Sequence, residues 1–485
     1  MSAITLDFLP HIEQIPNVRH LYNTGTLADI PTGAYLVGKY GESILNGGVG
    51  MLTGVVGIGN SFKSSIMDYM ALAAASMFKG TRYSIYDTEL NKQPHRITQL
   101  AKSIRNWDGI DVMDDVVQIT DKTILLANEW YVEKKKQMQA KMDKAKQITV
   151  QTPFMERDGT QMTILFPTFD SVDSFTEFET ADVADMQADN ELGDSGANTI
   201  FMRQGQSKTR FLQEVIKFAA GSNTSFLMSA HIGKVIGMDP RSPPPKTLQH
   251  LKNGDVIKGV TSKFLFLTTV CWQTVQCTVL SNDGTKAAEY PKGTQVDMKG
   301  DTDLNVVTMS LLRNKNGPSG ALVQFIVSQQ EGVLNDLSRF HYIKNMERFG
   351  LEGNTQNYTL ALCPDVALSR TKIRAKLTAD AKLRRAVGIT ADMCQIFQYY
   401  DYLDPKLKCS PKQLYDELRV MGYDWDILLN TNPLWTYDND KYPVPFLTTM
   451  DLLRMRIGLY HPYWLAEDKK TILKPSEYKL RTAAT

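Results

Sequence analysis

Short apolar runs alternate with stretches of helical spacing over about the first 345 residues. Residues 51–56, MLTGVV, form an apolar run that ends at Gly57, and residues 64–78 carry alanine and methionine at helical spacing. The run TRYSIYDTEL at 81–90 predicts a second strand, and residues 93–105 predict a helix. This part of the chain therefore predicts a strand, a glycine loop, a helix and a second strand.

The same alternation continues towards residue 345. Strands are expected at 115–119, 163–170, 225–231, 262–275 and 305–313, and a helix at 208–221. The lysine-rich stretch 130–147 predicts a charged helix with a solvated face. Strands alternating with helices predict an α/β fold with a mostly parallel central sheet and helices on both faces.

The pattern changes after about residue 350, where helical signals dominate. Ser410 is a candidate N-cap, Pro411 occupies the first helical position, and Gly422 ends that helix. A further helix is expected within 447–465. We therefore expect an N-terminal arm or oligomerisation segment at 1–48, a core at 49–345 and a mostly helical C-terminal domain at 346–485.

Composition narrows the class of protein only slightly. The chain has 485 residues, 42% of them hydrophobic, and a net charge of +1, which neither requires nor excludes nucleic acid. Its five cysteines show no C-x-x-C spacing, so neither a zinc site nor a disulfide framework is indicated. No secretory leader or long apolar run is evident, and we expect a cytoplasmic protein without a membrane partner.

The stretch GIGNSFKSS resembles a phosphate-binding loop with one substitution. The pattern G-x-x-x-x-G-K-[ST] has glycine before the lysine, whereas this chain has Phe62. Such loops hold phosphate with consecutive backbone N–H groups at a helix N-terminus, a lysine and a magnesium-binding hydroxyl. Taken alone, the stretch fits a glycine-rich turn with a surface lysine equally well. The candidate cofactor-binding residues are Gly57, Ile58, Gly59, Asn60, Ser61, Phe62, Lys63, Ser64 and Ser65.

Three further polar residues lie at the ends of predicted strands. Asp170 is expected to end its strand, where with Ser64 it would hold Mg²⁺. Glu89 would orient or deprotonate an attacking water, and His231 would sense the outer phosphate. Each of the three also has an ordinary structural explanation: a strand-end aspartate, a carboxylate at a helix N-terminus and a structural histidine.

The order of these motifs resembles the RecA-type recombinases, most closely the UvsX-type phage branch. The resemblance is carried by NSFKS at 60–64, IYDTEL at 85–90, FDSVDSF at 169–175 and SFLMSAH at 225–231. The UvsX-type loop has Phe-Lys-Ser in the same place, and we expect Phe62 to pack behind the loop. The resemblance implies an ATPase in which Lys63 binds phosphate, Ser64 and Asp170 bind Mg²⁺, Glu89 is the catalytic carboxylate and His231 is the sensor.

The resemblance also places two DNA-binding segments, at 176–207 (the first long segment) and 232–260 (the second long segment). It implies that the protein polymerises on single-stranded DNA and pairs it with homologous duplex DNA, with a single-strand-binding protein or mediator as a further possible partner. Cations in or near these segments suit contacts with the phosphate backbone of DNA, which do not depend on the base sequence. The same cations would equally suit a solvated surface. They are Arg203, Lys208, Arg210, Lys234, Arg241, Lys246, Lys252 and Lys258.

A basic pair, Arg313 and Lys315, precedes an N-G-P turn in SLLRNKNGPSG. The pair is placed to reach the outer phosphate of a neighbouring subunit as an arginine finger does, or forms an ordinary surface turn. This stretch resembles DnaB-type hexameric helicases as much as recombinases, so filament and ring both stay open. Residues 1–48 are shorter than the N-terminal domain of such helicases. An inactive RecA-like assembly module is a third alternative, given Phe62 and the insertions between 103 and 160.

Overall fold

The structure is a computed structural model, and it describes eleven stretches of the chain. They are residues 19–120, 127–156, 158–178, 197–234, 249–260, 263–282, 287–292, 300–354, 356–400, 403–437 and 445–479. Among these residues we find no helix with the length and apolar character needed to cross a lipid bilayer.

The strands and helices are numbered in chain order. The strands are β1 (Ala34–Val37), β2 (Ser43–Asn46), β3 (Leu52–Gly57), β4 (Tyr83–Asp87), β5 (Val117–Thr120), β6 (Thr149–Met155), β7 (Gln161–Leu165), β8 (Thr168–Asp173), β9 (Thr224–Lys234), β10 (Asp255–Ile257), β11 (Val270–Val279), β12 (Leu304–Asn314), β13 (Leu322–Ser328), β14 (Gly332–Val333), β15 (Leu351–Gly353), β16 (Tyr358–Leu360) and β17 (Cys363–Leu368). The α-helices are α1 (Asp29–Thr32), α2 (Lys63–Ala75), α3 (Pro94–Lys102), α4 (Val112–Asp115), α5 (Ala127–Asp143), α6 (Ala197–Ser222), α7 (Lys263–Leu267), α8 (Asn335–Asn345), α9 (Ile373–Ala379), α10 (Ala381–Tyr399), α11 (Pro411–Val420), α12 (Trp425–Leu429) and α13 (Thr449–Arg456).

A large sheet forms the centre of the molecule, in the order β14-β13-β12-β11-β3-β9-β8-β4-β5, with β10 paired to the end of β9. The six strands from β11 to β5 in this order run parallel, and β12, β13 and β14 are antiparallel. This confirms the predicted mostly parallel sheet. The carboxyl ends of the parallel strands lie along one side of the sheet, which we call the carboxyl edge.

Helices cover both faces of the sheet, because neighbouring residues of one strand point to opposite faces. Val55 of β3 packs in the cluster that contains α2, whereas Val56 packs with Leu212 and Val215 of α6. Within α2, the residues from Ile66 to Ala75 are all buried, so this helix is held by packing along its whole length.

The region predicted as an N-terminal arm packs inside this chain from residue 21 to 48. Most of these residues are buried, Ser43 N–H donates to Asp451 Oδ1 at 2.7 Å, and Gln395 Nε2 donates to Leu27 O at 2.8 Å. The C-terminal part contains α9 to α13, with Ser410 capping α11 as expected, and a three-stranded sheet, β15 to β17, that the sequence analysis missed.

Two predicted strands differ in the structure. Residues 163–170 do not form one strand, because β7 belongs to a hairpin with β6 and Pro167 separates it from β8. The described part of the predicted strand 262–275 contains α7 and the first residues of β11. The lysine-rich helix is present as α5, but its Lys134 is buried instead of solvated.

Candidate functional site

The turn between β3 and α2, residues 57–62, is the predicted phosphate-binding loop, and we call it the phosphate loop. Its backbone is fixed by contacts and its outer surface is open. A Cβ at Gly57 would lie 1.8 Å from Thr274 Oγ1 of β11, so only glycine fits there. Ser61 Oγ donates to Ile58 O at 2.8 Å and lies 2.8 Å from the same Thr274 hydroxyl. Ile58, Gly59 and Asn60 are exposed. The turn is thus tied to its neighbouring strand while its backbone stays accessible to a ligand.

Phe62 stands at the N-cap of α2 with φ 55° and ψ 16°, in the left-handed region that favours glycine. Its half-buried side chain packs against the main hydrophobic core, as we expected. A left-handed conformation costs a non-glycine residue about 1–2 kcal/mol. Burial of the aromatic ring offsets this cost and explains how phenylalanine replaces the glycine of the usual pattern.

The first turn of α2 carries Lys63, Ser64 and Ser65. Lys63 is buried, yet among the described residues none pairs with its ammonium group. The Ser64 hydroxyl lies near Asp173 at the end of β8 and helps to lower the pKa of its carboxyl group. A buried lysine without a counter-ion at a helix N-terminus favours an anionic ligand.

Asp170 does not end its strand, and this expectation was wrong. It pairs in register with Ser84 and Phe226, and Phe226 pairs with Leu52, the first residue of β3. At about 3.3 Å per residue, Asp170 lies roughly 16 Å from the level of Gly57 along the strands. Its Oδ1 accepts a hydrogen bond from Lys134 Nζ of α5 at 2.9 Å, with both side chains buried. Asp170 is therefore part of a buried ion pair away from the phosphate loop.

Asp173, three residues further along β8, lies at the carboxyl edge. It accepts a hydrogen bond from Ser229, Lys92 Nζ lies 2.8 Å from its Oδ2, and the Ser64 hydroxyl lies nearby. Burial opposes ionisation, but the charge of Lys92 and these hydroxyl groups prevail and lower the pKa of Asp173 to about 2. Mg²⁺ in phosphate sites takes one or two protein oxygens, with phosphate and water completing its shell. Ser64 and Asp173 fit that requirement.

Glu89 and His231 meet at the carboxyl edge. His231 Nε2 lies 3.1 Å from Glu89 Oε1, and both side chains are about a quarter exposed. His231 pairs in register with Gly57, so the contact lies beside the phosphate loop. The loop that carries Glu89 is held by Asp87, whose carboxylate accepts from Glu89 N at 3.1 Å and from Lys92 N at 2.6 Å. The structure thus brings the predicted carboxylate and the predicted sensor together.

The backbone of His231 is also bonded to both long segments. His231 N donates to Thr176 Oγ1 at 3.0 Å, and His231 O accepts from Lys258 N at 2.7 Å. Thr176 begins the first long segment, and Lys258 lies near the end of the second. The imidazole that touches Glu89 therefore belongs to a residue that contacts the base of each segment.

The predicted DNA-contacting cations differ in their surroundings. Lys208 is buried and donates to the carbonyl oxygens of Phe175, Thr176 and Gly259 at 3.0, 2.7 and 3.1 Å. The prediction that Lys208 contacts DNA was therefore wrong. It joins the bases of the two long segments instead.

The other cations of this set are distributed more widely. Lys252 and Lys258 are exposed, Arg210 bonds to Glu214 at 3.2 Å, and Lys234 pairs with Asp255. Arg203 lies in α6, and Arg241 and Lys246 lie outside the described residues.

Arg313 and Lys315 lie near the edge of the sheet where the parallel strands begin, which is opposite the carboxyl edge and the phosphate loop. Arg313 pairs in register with Cys271 near the start of β11, whereas Gly57 pairs with Thr274. The Arg313 guanidinium stacks 5.5 Å from the ring centre of Phe266, and Lys315 Nζ donates to Leu267 O at 3.2 Å. This placement directs both cations away from the loop of their own chain.

Three important residues were missed in the sequence. Asp173 was overlooked because Asp170, in the same FDSVDSF stretch, follows the longer apolar run; Pro167 was the signal that the strand starts later. Lys92 and Asp68, which pair with each other beside Asp173, lie 24 residues apart, and no local pattern brings them together.

Comparisons with known proteins do not supply a family. The chain matches no protein-family model, and a search of curated proteins found no match.

Proposed function

We propose that this chain is an ATP-dependent DNA recombinase of the RecA type, which assembles on single-stranded DNA and promotes homologous pairing and strand exchange. The observation that carries the proposal is the contact between Glu89 and His231 beside the phosphate loop, with the His231 backbone bonded to the bases of both long segments. The motif resemblance and the mostly parallel sheet support the same proposal.

Nucleotide binding would use the features of the turn between β3 and α2. The exposed backbone from Ile58 to Asn60 and the N-terminus of α2 would hold the phosphates, and Lys63 would supply the positive charge. Ser64 and Asp173 would hold Mg²⁺, which when bound neutralises charge on the phosphate oxygens.

Hydrolysis would depend on Glu89 as the base. Its Oε2 accepts from Asn91 Nδ2 at 3.1 Å, and its Oε1 contacts His231. A carboxylate fixed from two sides can orient a water and accept its proton. Because His231 contacts the same carboxylate, any movement of Glu89 towards the phosphate would change this contact. His231 is in turn bonded through its backbone to the bases of both long segments.

Those segments are the proposed DNA-binding elements, and their exposed cations suit contacts with the phosphate backbone. Lys252 and Lys258 are the exposed examples among the described residues of the second long segment that carry no ion pair. Such contacts hold DNA without reading its sequence, as strand exchange requires.

Self-association is supported by the position of Arg313 and Lys315. Both lie on the side of the sheet opposite the phosphate loop, so they suit the nucleotide of a neighbouring copy. A nucleotide bound between copies would stiffen the assembly and order the segments, and hydrolysis would release them.

Electron microscopy of the purified chain, with single-stranded DNA and a non-hydrolysable ATP analogue, tests the proposal. Helical filaments that require both ligands are the expected result. Closed six-membered rings, together with unwinding of a forked duplex, would support the hexameric helicase instead. Monomers under every condition would contradict both and favour an inactive assembly module.

A further inference from the structure

A buried lysine lies between two carboxylates next to the proposed magnesium position. Lys92 Nζ lies 2.8 Å from Asp173 Oδ2 and also contacts Asp68 Oδ2. The three side chains are 7%, 2% and 3% exposed for Lys92, Asp173 and Asp68, so water screens their interactions only weakly. Lys92 is thus a built-in counter-ion of Asp173.

Asp68 is positioned by α2 itself. It lies four residues after Ser64, which places the two side chains on the same face of the helix. Its Oδ1 accepts from the Tyr83 hydroxyl at 2.8 Å, and the same hydroxyl lies 2.9 Å from Ser171 Oγ. Asp68 is therefore held in place independently of Asp173.

Asp68 and Asp173 share the positive charge of Lys92. Burial raises the pKa of Asp68, and the charge of Lys92 only partly offsets that effect. Lys92 Nζ contacts one oxygen of each carboxylate, so a single ammonium group is shared between Asp68 and Asp173. One cation thus serves two buried carboxylates, and it keeps one partner if the other is taken.

We propose that Lys92 is a positioning residue that competes with the divalent cation for Asp173 and moves to Asp68 alone when the cation binds. The proposal rests on the proposed function, since it assigns Asp173 to magnesium. This competition makes metal binding weak when no nucleotide is bound. It also links metal binding to nucleotide binding, because the phosphates supply the further negative charge that lets the metal displace the ammonium. Asp68 gives Lys92 a partner in both states.

The test is Mn²⁺ binding to the nucleotide-free protein, measured from the free-ion signal in electron paramagnetic resonance. The variants are Lys92→Met, which removes the charge with little change in length, and Lys92→Arg, which keeps the charge. Removing a unit charge near a divalent ion is expected to tighten Mn²⁺ binding at least tenfold in Lys92→Met. Lys92→Arg should stay close to the parent.

Two buried carboxylates without a cation can prevent Lys92→Met from folding, so Asp68→Asn/Lys92→Met is measured as well. This double variant has the same net charge at the three positions as the parent. Tighter Mn²⁺ binding there isolates the direct competition for Asp173. Equal Mn²⁺ affinity in the parent and the double variant would overturn the proposal. Binding of a fluorescent ATP analogue without metal is measured on the parent in parallel, and its absence would count against the nucleotide site and not against Lys92.

Discussion

Replacing Asp170 and Asp173 separately by asparagine distinguishes a structural carboxylate from a functional one. The two residues lie three positions apart on β8, and both are buried. The structure predicts opposite effects, because Asp170 pairs with Lys134 of α5 whereas Asp173 lies near Ser64, which follows the phosphate loop.

The expected loss in unfolding free energy depends on whether each substitution leaves a buried lysine without a carboxylate. Asp170→Asn leaves the Lys134 ammonium buried with no carboxylate, and its cation–π contact with Tyr86 at 5.0 Å compensates only partly. Breaking a buried pair from one side costs about 3–5 kcal/mol, so we expect a loss of about 3 kcal/mol in unfolding free energy. Asp173→Asn leaves Lys92 paired with Asp68, and we expect a loss of only about 1–2 kcal/mol.

Hydrolysis should respond in the opposite order. Asp173→Asn is expected to lower kcat for ATP hydrolysis on single-stranded DNA by about 100-fold, since the charge opposite Ser64 is lost. Asp170→Asn should keep kcat within about twofold of the parent at 25 °C. Urea unfolding followed by tryptophan fluorescence measures stability, and the exposed Asp143→Asn is the matched control. Loss of hydrolysis in Asp170→Asn with retention in Asp173→Asn would refute the assignment.

Three further predictions concern the loop, the long segments and acid stability. Phe62→Gly relieves the left-handed backbone and loses the ring, so its stability should be about 1 kcal/mol higher than that of Phe62→Ala, which only loses the ring; an equal or reversed order in urea unfolding would contradict the account. Lys208→Met should lose about 2 kcal/mol while the salt dependence of DNA binding stays unchanged, whereas Lys252→Ala should reduce that dependence and keep stability. Burial and the charge of Lys344 lower the pKa of His341 to about 4, so the unfolded chain takes up the proton first and roughly 2 kcal/mol should be lost between pH 6.5 and 4.5; a His341→Gln variant should lose less over this range in urea unfolding, and an equal loss would contradict the assignment.

Local patterns predicted the parts of the fold that depend on local chemistry. The run before Gly57, the alanine-rich helix α2 and the Ser410 cap lie where hydrophobic spacing and capping placed them. The start of β8 was misjudged because an apolar run continues across Pro167, and α7 was expected to be a strand because its four apolar or aromatic residues fit either element.

Within the site, the sequence predicted only those residues that could be recognised from their own positions along the chain. Glu89 and His231 were found from their positions at the ends of predicted strands, and the structure places them 3.1 Å apart, with β9 continuing past His231 to Lys234. The group of Asp68, Lys92 and Asp173 joins α2, the segment after β4 and the end of β8, and only the folded sheet brings them together. Lys208 was assigned to the surface because lysine is usually exposed, whereas here three backbone carbonyls compensate for its burial.

The most direct test of the account is ATP hydrolysis by Lys63→Ala beside the parent, with the exposed Lys144→Ala as the control. Lys63 is the buried lysine that follows the phosphate loop, with no partner among the described residues, so its loss should remove most of the affinity for the phosphates. We predict hydrolysis stimulated by single-stranded DNA in the parent and in Lys144→Ala, and a loss of at least about 100-fold in kcat/KM in Lys63→Ala. Hydrolysis by Lys63→Ala at the parental rate would contradict the assignment of the site.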